Sequence, residues 1–231
     1  MTPGEAPAVP AQAGIQAPRR IALLGAESTG KTQLAQDLAA HLRARGLRAA
    51  AVPEALRAWC TREGRAPRPE EQLSIAQAQE RQVDEAAAAG AQVVVADTTA
   101  LMALVYAGML FEDDPLYRYA LAQQRRYDAT LVTGLDLPWT PDGLHRDATQ
   151  PREDVDALVR SLLQRAGVPF QVVYGSGPAR LQAALVALAS AGVLPDSLVE
   201  RPAPEGGRRA WKWMCEKCSD PECEHRLFTM R

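Results

Sequence analysis

The sequence has no segment long enough to cross a bilayer. Its longest stretch without a charged residue covers 181–195, which is shorter than the about 20 apolar residues that a membrane-spanning helix needs, and it predicts a core helix. The N-terminus lacks the basic-then-apolar order of a signal peptide. The net charge of −2 and the isoelectric point of about 6.0 provide no overall positive field for nucleic acid or an anionic membrane. We therefore expect a cytoplasmic protein that binds neither.

Cysteine is scarce and unevenly placed. Of the 4 cysteines, Cys60 stands alone, whereas Cys215, Cys218 and Cys223 lie close together near the C-terminus. A disulfide scaffold would distribute its cysteines through the fold. The cluster lies beside His225, and this grouping instead indicates a reducing compartment and a metal site.

Lysine is also rare, and one of the few lysines falls in a recognisable motif. Among 26 basic residues, the lysines are Lys31, Lys212 and Lys217. The first lies in a phosphate-binding pattern, G-x-x-x-x-G-K-[ST], which is matched in full by Gly25-Ala26-Glu27-Ser28-Thr29-Gly30-Lys31-Thr32. Glycines let such a loop curl until successive N–H groups point at one centre, and the helix that follows adds its positive N-terminus.

This loop predicts ATP and Mg²⁺ as ligands. We expect its backbone, from Gly25 through Glu27, Ser28, Thr29 and Gly30, to cradle phosphates. Lys31 should reach the β- and γ-phosphates, and the hydroxyl of Thr32 should bind Mg²⁺.

Short apolar segments alternate with helical patterns along the chain. Strands are predicted at 21–24, 49–52, 93–96, 130–133 and 170–174. Helices are predicted at 31–45, 70–89, 100–110, 115–126, 152–166 and 179–191. Because hydrophobic residues make up 47% of the chain, a sizeable core can be buried. The alternation predicts an α/β fold, a P-loop NTPase with a five-stranded parallel sheet flanked by helices.

The composition divides the chain into four parts. Residues 1–18 are rich in Pro, Ala and Gly and are predicted to be a disordered tail. The P-loop domain covers 19–194. Residues 195–210 hold three prolines and two glycines and are predicted to be a linker. A small Cys/His tail covers 211–231.

Acidic residues follow two of the predicted strands. Asp97 ends the third strand, and the carboxyl ends of strands are where α/β sheets bind ligands. It is therefore a candidate to hold Mg²⁺ or to remove a proton, although it could also cap the next helix. Glu54 follows the second strand and could bind ribose hydroxyls or act as the base, or remain a solvated loop charge. Arg57 could pair with Glu54 or with a ligand.

The segment 135–150 has the composition of a lid. It contains Trp139, Asp142 and Arg146 among prolines and glycines. A mobile loop with an arginine can close over a γ-phosphate and exclude water. The alternative is that the aspartates of this segment form surface salt bridges with Arg146.

These elements together resemble a known family, the nicotinamide riboside kinase domain of NadR-type proteins within the NadR-like P-loop ATPases. The resemblance spans about residues 19–190. It is carried by the loop with its Glu-Ser pair and by four further matches: Pro-Glu-Ala-Leu-Arg at 53–57, Val-Ala-Asp-Thr at 95–98, Tyr-Asp at 127–128 and Pro-Trp-x-x-Asp-Gly-Leu-x-Arg at 138–146.

The resemblance implies transfer of the ATP γ-phosphate to the 5′-hydroxyl of nicotinamide riboside or a similar nucleoside, as in NAD salvage. Lys31, Asp97 and Arg146 would then be catalytic, with Thr32 and Asp97 at the metal. The substrate side would hold Glu54, Arg57, Trp139 and Asp142.

The sequence departs from the family in three ways. Bacterial bifunctional members tend to have a second acid in an Asp-Thr-Asp run, where this chain has Asp97-Thr98-Thr99. His145 is an extra residue before the arginine of the lid. There is also no room for the adenylyltransferase domain of bifunctional members, so we do not expect the chain to make the dinucleotide.

The C-terminal cluster has the pattern C-x₂-C-x₄-C-x-H. Its four members suit a closed, tetrahedral, structural zinc site, and they are Cys215, Cys218, Cys223 and His225. The alternative is a reduced tail with ordinary thiols.

Two functions of different classes fit these observations. The first is a small-molecule kinase with a nucleoside-like acceptor. The second is a regulatory nucleotide-binding ATPase that signals through its Cys/His tail. A GTPase switch fits less well, because the Asn-Lys-x-Asp run that recognises guanine does not occur.

Overall fold

Strands and helices alternate along the folded part of the chain. The computed structural model describes residues 17–108, 114–140 and 151–199. The strands are β1 (Arg19–Leu24), β2 (Ala49–Val52), β3 (Val93–Asp97), β4 (Ala129–Thr133) and β5 (Gln171–Val173). The helices are α1 (Lys31–Ala44), α2 (Ala55–Glu63), α3 (Pro69–Ala88), α4 (Ala100–Ala107), α5 (Pro115–Gln124), α6 (Arg152–Arg165) and α7 (Gly177–Ser190).

The strands form one five-stranded sheet in the order β2-β3-β1-β4-β5. Every neighbouring pair is parallel, so the predicted parallel sheet is confirmed. The central strands are apolar on both faces because helices cover both sides. In the register, Leu23 of β1 lies opposite Asp97 of β3, and Leu24 lies opposite Val132 of β4. The carboxyl ends of these three strands therefore lie side by side at the same end of the sheet.

Residues of β1 pack into separate parts of the core on the two faces of the sheet. Ile21 and Leu23 pack with the helical stripe of α1 and with α7. Leu24 faces the other side and packs with α4, α5 and α6. The spacing of Leu34, Leu38 and Leu42 on α1, one helical turn apart, places all three on the buried face.

Helix α2 is an element that the sequence patterns did not predict. It begins after Glu54 and ends at Gly64, which adopts a φ of 68°. Its buried side chains, Leu56 and Cys60, pack against Ile75 of α3. At nine residues it is too short to give a clear periodic pattern.

Both ends of the predicted P-loop domain, residues 19 and 194, lie within the described residues. At the C-terminal side, a short 3-10 helix covers Asp196–Leu198, and Leu198 and Val199 are buried in the core beside α1 and α7. Core packing thus continues past residue 194. The predicted disordered tail (except residues 17 and 18), residues 200–210 of the predicted linker, and the Cys/His tail are not among the described residues. In the described segments, no helix is long and apolar enough to cross a membrane.

Candidate active site

The loop between β1 and α1 has the backbone conformation of a tight phosphate cradle. Gly25 adopts a φ of 141° and Gly30 a φ of 76°, while Ser28, which is not a glycine, adopts 54°. A Cβ on Gly25 would lie 2.4 Å from the Oγ1 of Thr133. Glycine is therefore required at position 25 by both its φ and the close approach of β4.

Two buried hydroxyls hold the cradle against the sheet. Thr29 donates to the carbonyl of Ala26 at 2.8 Å and lies 2.6 Å from the hydroxyl of Thr133. Thr133 in turn donates to the carbonyl of Leu24 at 3.1 Å. The side chain of Thr29 is fully buried, so it supports the loop from inside, and Thr29 faces a ligand only through its backbone.

Lys31 lies at the N-terminus of α1 with its ammonium folded onto the cradle. Its Nζ donates to the carbonyl of Ala26 at 2.7 Å. Lys31 lines a cavity of about 540 Å³ together with Ser28, Thr32 and Arg57. A buried ammonium at the start of a helix adds to the positive end of the helix dipole. This end of the cavity therefore attracts phosphate.

Thr32, in the first turn of α1, and Asp97, at the end of β3, form a direct pair. The hydroxyl of Thr32 donates to Oδ2 of Asp97 at 2.5 Å. Asp97 is 2% exposed, and its second oxygen, Oδ1, is buried with no hydrogen-bond partner among the residues that the structure describes. A buried acceptor without a partner costs free energy unless a ligand satisfies it, so the aspartate is arranged for a group that comes from outside the chain.

The environment of Asp97 shifts the pKa of its carboxyl group upward. Burial raises the pKa of Asp97, and the negative charge of Glu54 raises it further. The hydrogen bond from Thr32 and the positive charges of Lys31 and Arg57 oppose the shift. A cation placed beside Asp97 would reverse this balance and favour the carboxylate.

Thr32 and Asp97 fit a magnesium site by their chemistry. Magnesium prefers oxygen ligands and takes only one or two from protein when phosphates supply others. The hydroxyl of Thr32 and the unpartnered Oδ1 of Asp97 are such ligands. Within the described residues, no cluster of three or more His, Cys, Asp or Glu side chains is placed to hold a metal. The four predicted zinc ligands lie outside those residues, and zinc remains a prediction.

The turn after Asp97 is held by buried polar groups. Thr98 adopts a φ of 70°, and Thr99 caps α4 through its hydroxyl, which accepts from the N–H of Leu101 at 3.2 Å. Glu80 of α3 accepts from the N–H of Ala100 at 2.9 Å, and burial raises the pKa of Glu80. Positive φ in a β-branched residue persists only where surrounding structure imposes it, and here the imposed conformation sets the position of Asp97.

Buried polar residues also lie at the start of α2 and on α3. Glu54 is 4% exposed, and its Oε2 lies 3.4 Å from the Nε of Arg57. Gln79 accepts from the N–H of Ala55 at 2.7 Å, which places it next to Glu54. The amide nitrogen of Gln79 and the amide oxygen of Gln72 are buried, and neither has a hydrogen-bond partner in the described part of the chain.

The sequence patterns missed Gln72 and Gln79. The signal was available, because the two glutamines are seven residues apart and therefore share the face of α3 that carries Ile75, Ala76 and Val83. A glutamine on an otherwise apolar helix face is informative only once that face is known to be buried.

The first residues of the predicted lid lie beside the cradle. Ser28 donates to the carbonyl of Thr140 at 2.5 Å, and Leu137 and Pro138 line the cavity with the loop. Trp139 is 54% exposed and so has room to contact a ligand. Asp142 and Arg146 lie outside the described residues, so their roles stay predictions.

The fold and this cradle define the class: an α/β protein with a P-loop, whose Thr32–Asp97 pair closes the phosphate end of the cavity. The chain belongs to the AAA_28 family of AAA domains, whose model matches residues 20–180. No curated protein matches the sequence.

Solved structures share this fold at low sequence identity. A NadR protein in complex with NAD and AMP-PNP has 18% identity and a TM-score of 0.59, and a NadR protein in complex with NR has 20% identity and 0.62. Each match covers 80% of this chain and 52% of the NadR chain, so the chain spans about half of those proteins. Thymidylate kinase from Ehrlichia chaffeensis has 12% identity and a TM-score of 0.50, covering 74% of this chain and 98% of that enzyme. The expected NadR-like P-loop fold is confirmed.

Proposed function

We propose that this protein is an ATP-dependent kinase that transfers the γ-phosphoryl group to the 5′-hydroxyl of nicotinamide riboside or a similar nucleoside. The observation that carries the proposal is the pair formed by Thr32 and Asp97 at the end of the phosphate cradle, with one aspartate oxygen left unpartnered. NadR, which shares the fold, has been solved with NR and with AMP-PNP, and thymidylate kinase shares it too.

The residues of the chain divide between the two substrates. The backbone of the loop and Lys31 bind the phosphates of ATP. Thr32 and Asp97 would hold magnesium, which when bound neutralises charge on the phosphates. Glu54, Arg57 and the two buried glutamines of α3 offer hydrogen bonds to the hydroxyls and polar base atoms of an acceptor. Asp142 and Arg146 are proposed to act from the lid, with Trp139 against the acceptor.

The reaction itself needs one proton acceptor. The acceptor hydroxyl oxygen forms a bond to the γ-phosphorus, the bond between that phosphorus and the β–γ bridging oxygen breaks, and ADP leaves. The hydroxyl proton passes to a carboxylate, for which Asp97 and Glu54 are the candidates. Both stay candidates, because a magnesium ion beside Asp97 would offset the upward shift that burial gives the pKa of this residue.

The test is a direct search for a phosphorylated acceptor. Purified protein, ATP and Mg²⁺ are incubated with nicotinamide riboside, thymidine, uridine or ribose, and products are measured by mass. We expect a nucleoside 5′-monophosphate in amounts equal to the ADP formed, with nicotinamide riboside preferred. Lys31→Ala should abolish the product while the protein stays folded.

Two outcomes would contradict the proposal. ATP hydrolysis that is unchanged by every acceptor, with no phosphorylated product, would favour the regulatory ATPase instead. Product formation by Lys31→Ala at the wild-type rate would show that the cradle is not where transfer takes place.

A further inference from the structure

One buried arginine joins the phosphate cradle to the first part of the lid. Arg180 of α7 is 3% exposed. Its Nη1 donates to the carbonyl oxygen of Thr29 in the cradle, and its Nη2 donates to Oδ1 of Asp136 at 2.5 Å. The other oxygen of Asp136 accepts from the N–H of Gly175 at 2.5 Å. The guanidinium therefore connects segments that are far apart in the sequence.

The contact with Thr29 sets the direction of the next N–H group. A peptide bond is planar and trans, so the carbonyl oxygen of Thr29 and the N–H of Gly30 point in opposite directions. Because Arg180 holds that oxygen, the N–H of Gly30 must point away from the guanidinium. Gly30 lines the cavity of the cradle, and a Cβ added to it would lie 3.2 Å from Nη1 of Arg180. The N–H therefore points towards the space where phosphates bind.

We propose that Arg180 is a positioning residue for ATP: by holding the carbonyl of Thr29, it aims the N–H of Gly30 at the nucleotide phosphates. This inference rests on the nucleotide binding in the proposed function. Arg180 touches no substrate itself, and its effect passes through one peptide plane. Asp136 keeps the buried guanidinium paired, since a buried charge without a partner is costly.

The side chain must be an arginine for a geometric reason. Only a planar guanidinium presents two N–H groups in a fixed fork, so that one reaches a carbonyl while the other reaches a carboxylate. A lysine at this position would keep the charge but would lack the fixed fork. Arg180→Lys therefore tests whether the geometry of the hydrogen bonds matters, because the substitution keeps the positive charge.

The test compares Arg180→Lys, Asp136→Asn and wild type in ATP binding and in turnover. Binding is measured by calorimetry with ATP, ADP and adenosine. For Arg180→Lys we expect Kd values for ATP and ADP that are about tenfold or more higher, with the Kd of adenosine unchanged. In turnover, the KM for ATP should rise by the same factor while kcat at saturating ATP stays within about threefold. Asp136→Asn should show the same pattern to a smaller degree.

A matched control excludes a merely structural effect. Arg160 pairs with Asp156 on α6, with its Nε 2.6 Å from Oδ2, and its side-chain partners among the described residues are Asp156 and Tyr174, neither of which belongs to the cradle. Arg160→Lys should leave the KM for ATP unchanged. A general loss of stability would lower the active fraction, and hence kcat, without a selective rise in the KM for ATP.

The outcomes distinguish this inference from the proposed function. Wild type that binds no ATP would refute the proposed function. Wild type that binds ATP, with Arg180→Lys showing unchanged Kd and KM for ATP, would overturn the role of Arg180 alone. Equal weakening of ADP and adenosine would overturn it as well, because the guanidinium would then act on the whole site and not on the phosphates.

Discussion

Replacing Asp97 by asparagine should make the protein more stable and nearly inactive. Asp97 is 2% exposed, and its Oδ1 has no partner. An unsatisfied buried polar group costs about 1–3 kcal/mol, and more when it is charged. An asparagine keeps an oxygen for the hydroxyl of Thr32 and leaves its neutral amide group in the place of Oδ1, so the gain comes from removing the buried charge. We therefore expect the free energy of unfolding to rise by about 1–2 kcal/mol at pH 8, which corresponds to a Tm increase of about 2–8 °C for a chain of this size.

The pH dependence of this gain follows from the sign of the pKa shift. The pKa of Asp97 is raised in the folded protein above its ordinary value of 3.8, chiefly by burial. The unfolded chain therefore releases this proton at a lower pH than the folded chain does. The stability that the protonated form of Asp97 contributes is fully present below the pKa of Asp97 in the unfolded chain. It is lost as the pH rises through the pKa of Asp97 in the folded protein. The advantage of Asp97→Asn should be greatest above the folded pKa and should shrink as the pH falls towards 3.8.

The assay is urea unfolding in buffer without nucleotide or metal, at several pH values, together with turnover of ATP and acceptor. Turnover should fall by a factor of about 10²–10⁴, the usual contribution of a base in proton transfer. The matched control is Asp37→Asn on α1, where the carboxylate accepts from the Gln33 side chain one turn away at 2.8 Å. This control should change stability by no more than about 0.5 kcal/mol. An Asp97→Asn protein that is less stable than wild type at pH 8, or that turns over within threefold of it, would refute the reasoning.

Three further predictions test the cradle, the acceptor side and the tail. Gly25→Ala should lower the free energy of unfolding by about 2–5 kcal/mol, because its Cβ would lie 2.4 Å from the Oγ1 of Thr133. Calorimetric Tm values measure this effect, and an unchanged Tm would show that the loop can shift. Gln72→Leu should raise the KM of the nucleoside about tenfold with the KM of ATP unchanged, since it removes a buried acceptor that has no partner among the described residues. Equal changes in both KM values would argue against acceptor binding. Elemental analysis should find one zinc per chain, lost in Cys218→Ser, and metal-free wild type would refute the zinc site.

The strands and helices whose side chains follow a clear periodic pattern were predictable from the sequence. The strands before and after the cradle are short apolar runs, and the stripe of α1 has a helical period, so both were predicted at nearly the observed bounds. Helix α2 was not predicted, because Pro53 and a mixed polar sequence obscured nine residues whose helical state depends on packing against Ile75. Tertiary packing decides such short elements more than propensity does.

The sequence by itself determined the phosphate cradle, because the loop consists of eight consecutive residues whose spacing is visible in the chain. It also indicated Asp97, since a carboxylate after a buried strand lies at the edge of the sheet where ligands bind. Only the tertiary structure decided that β3 lies beside β1, which brings Asp97 to Thr32 across 65 positions. The same holds for Arg180, which reaches Thr29 across 151 positions. Contacts between residues so far apart in the sequence are set by strand order and helix packing, which cannot be read from a local pattern of side chains.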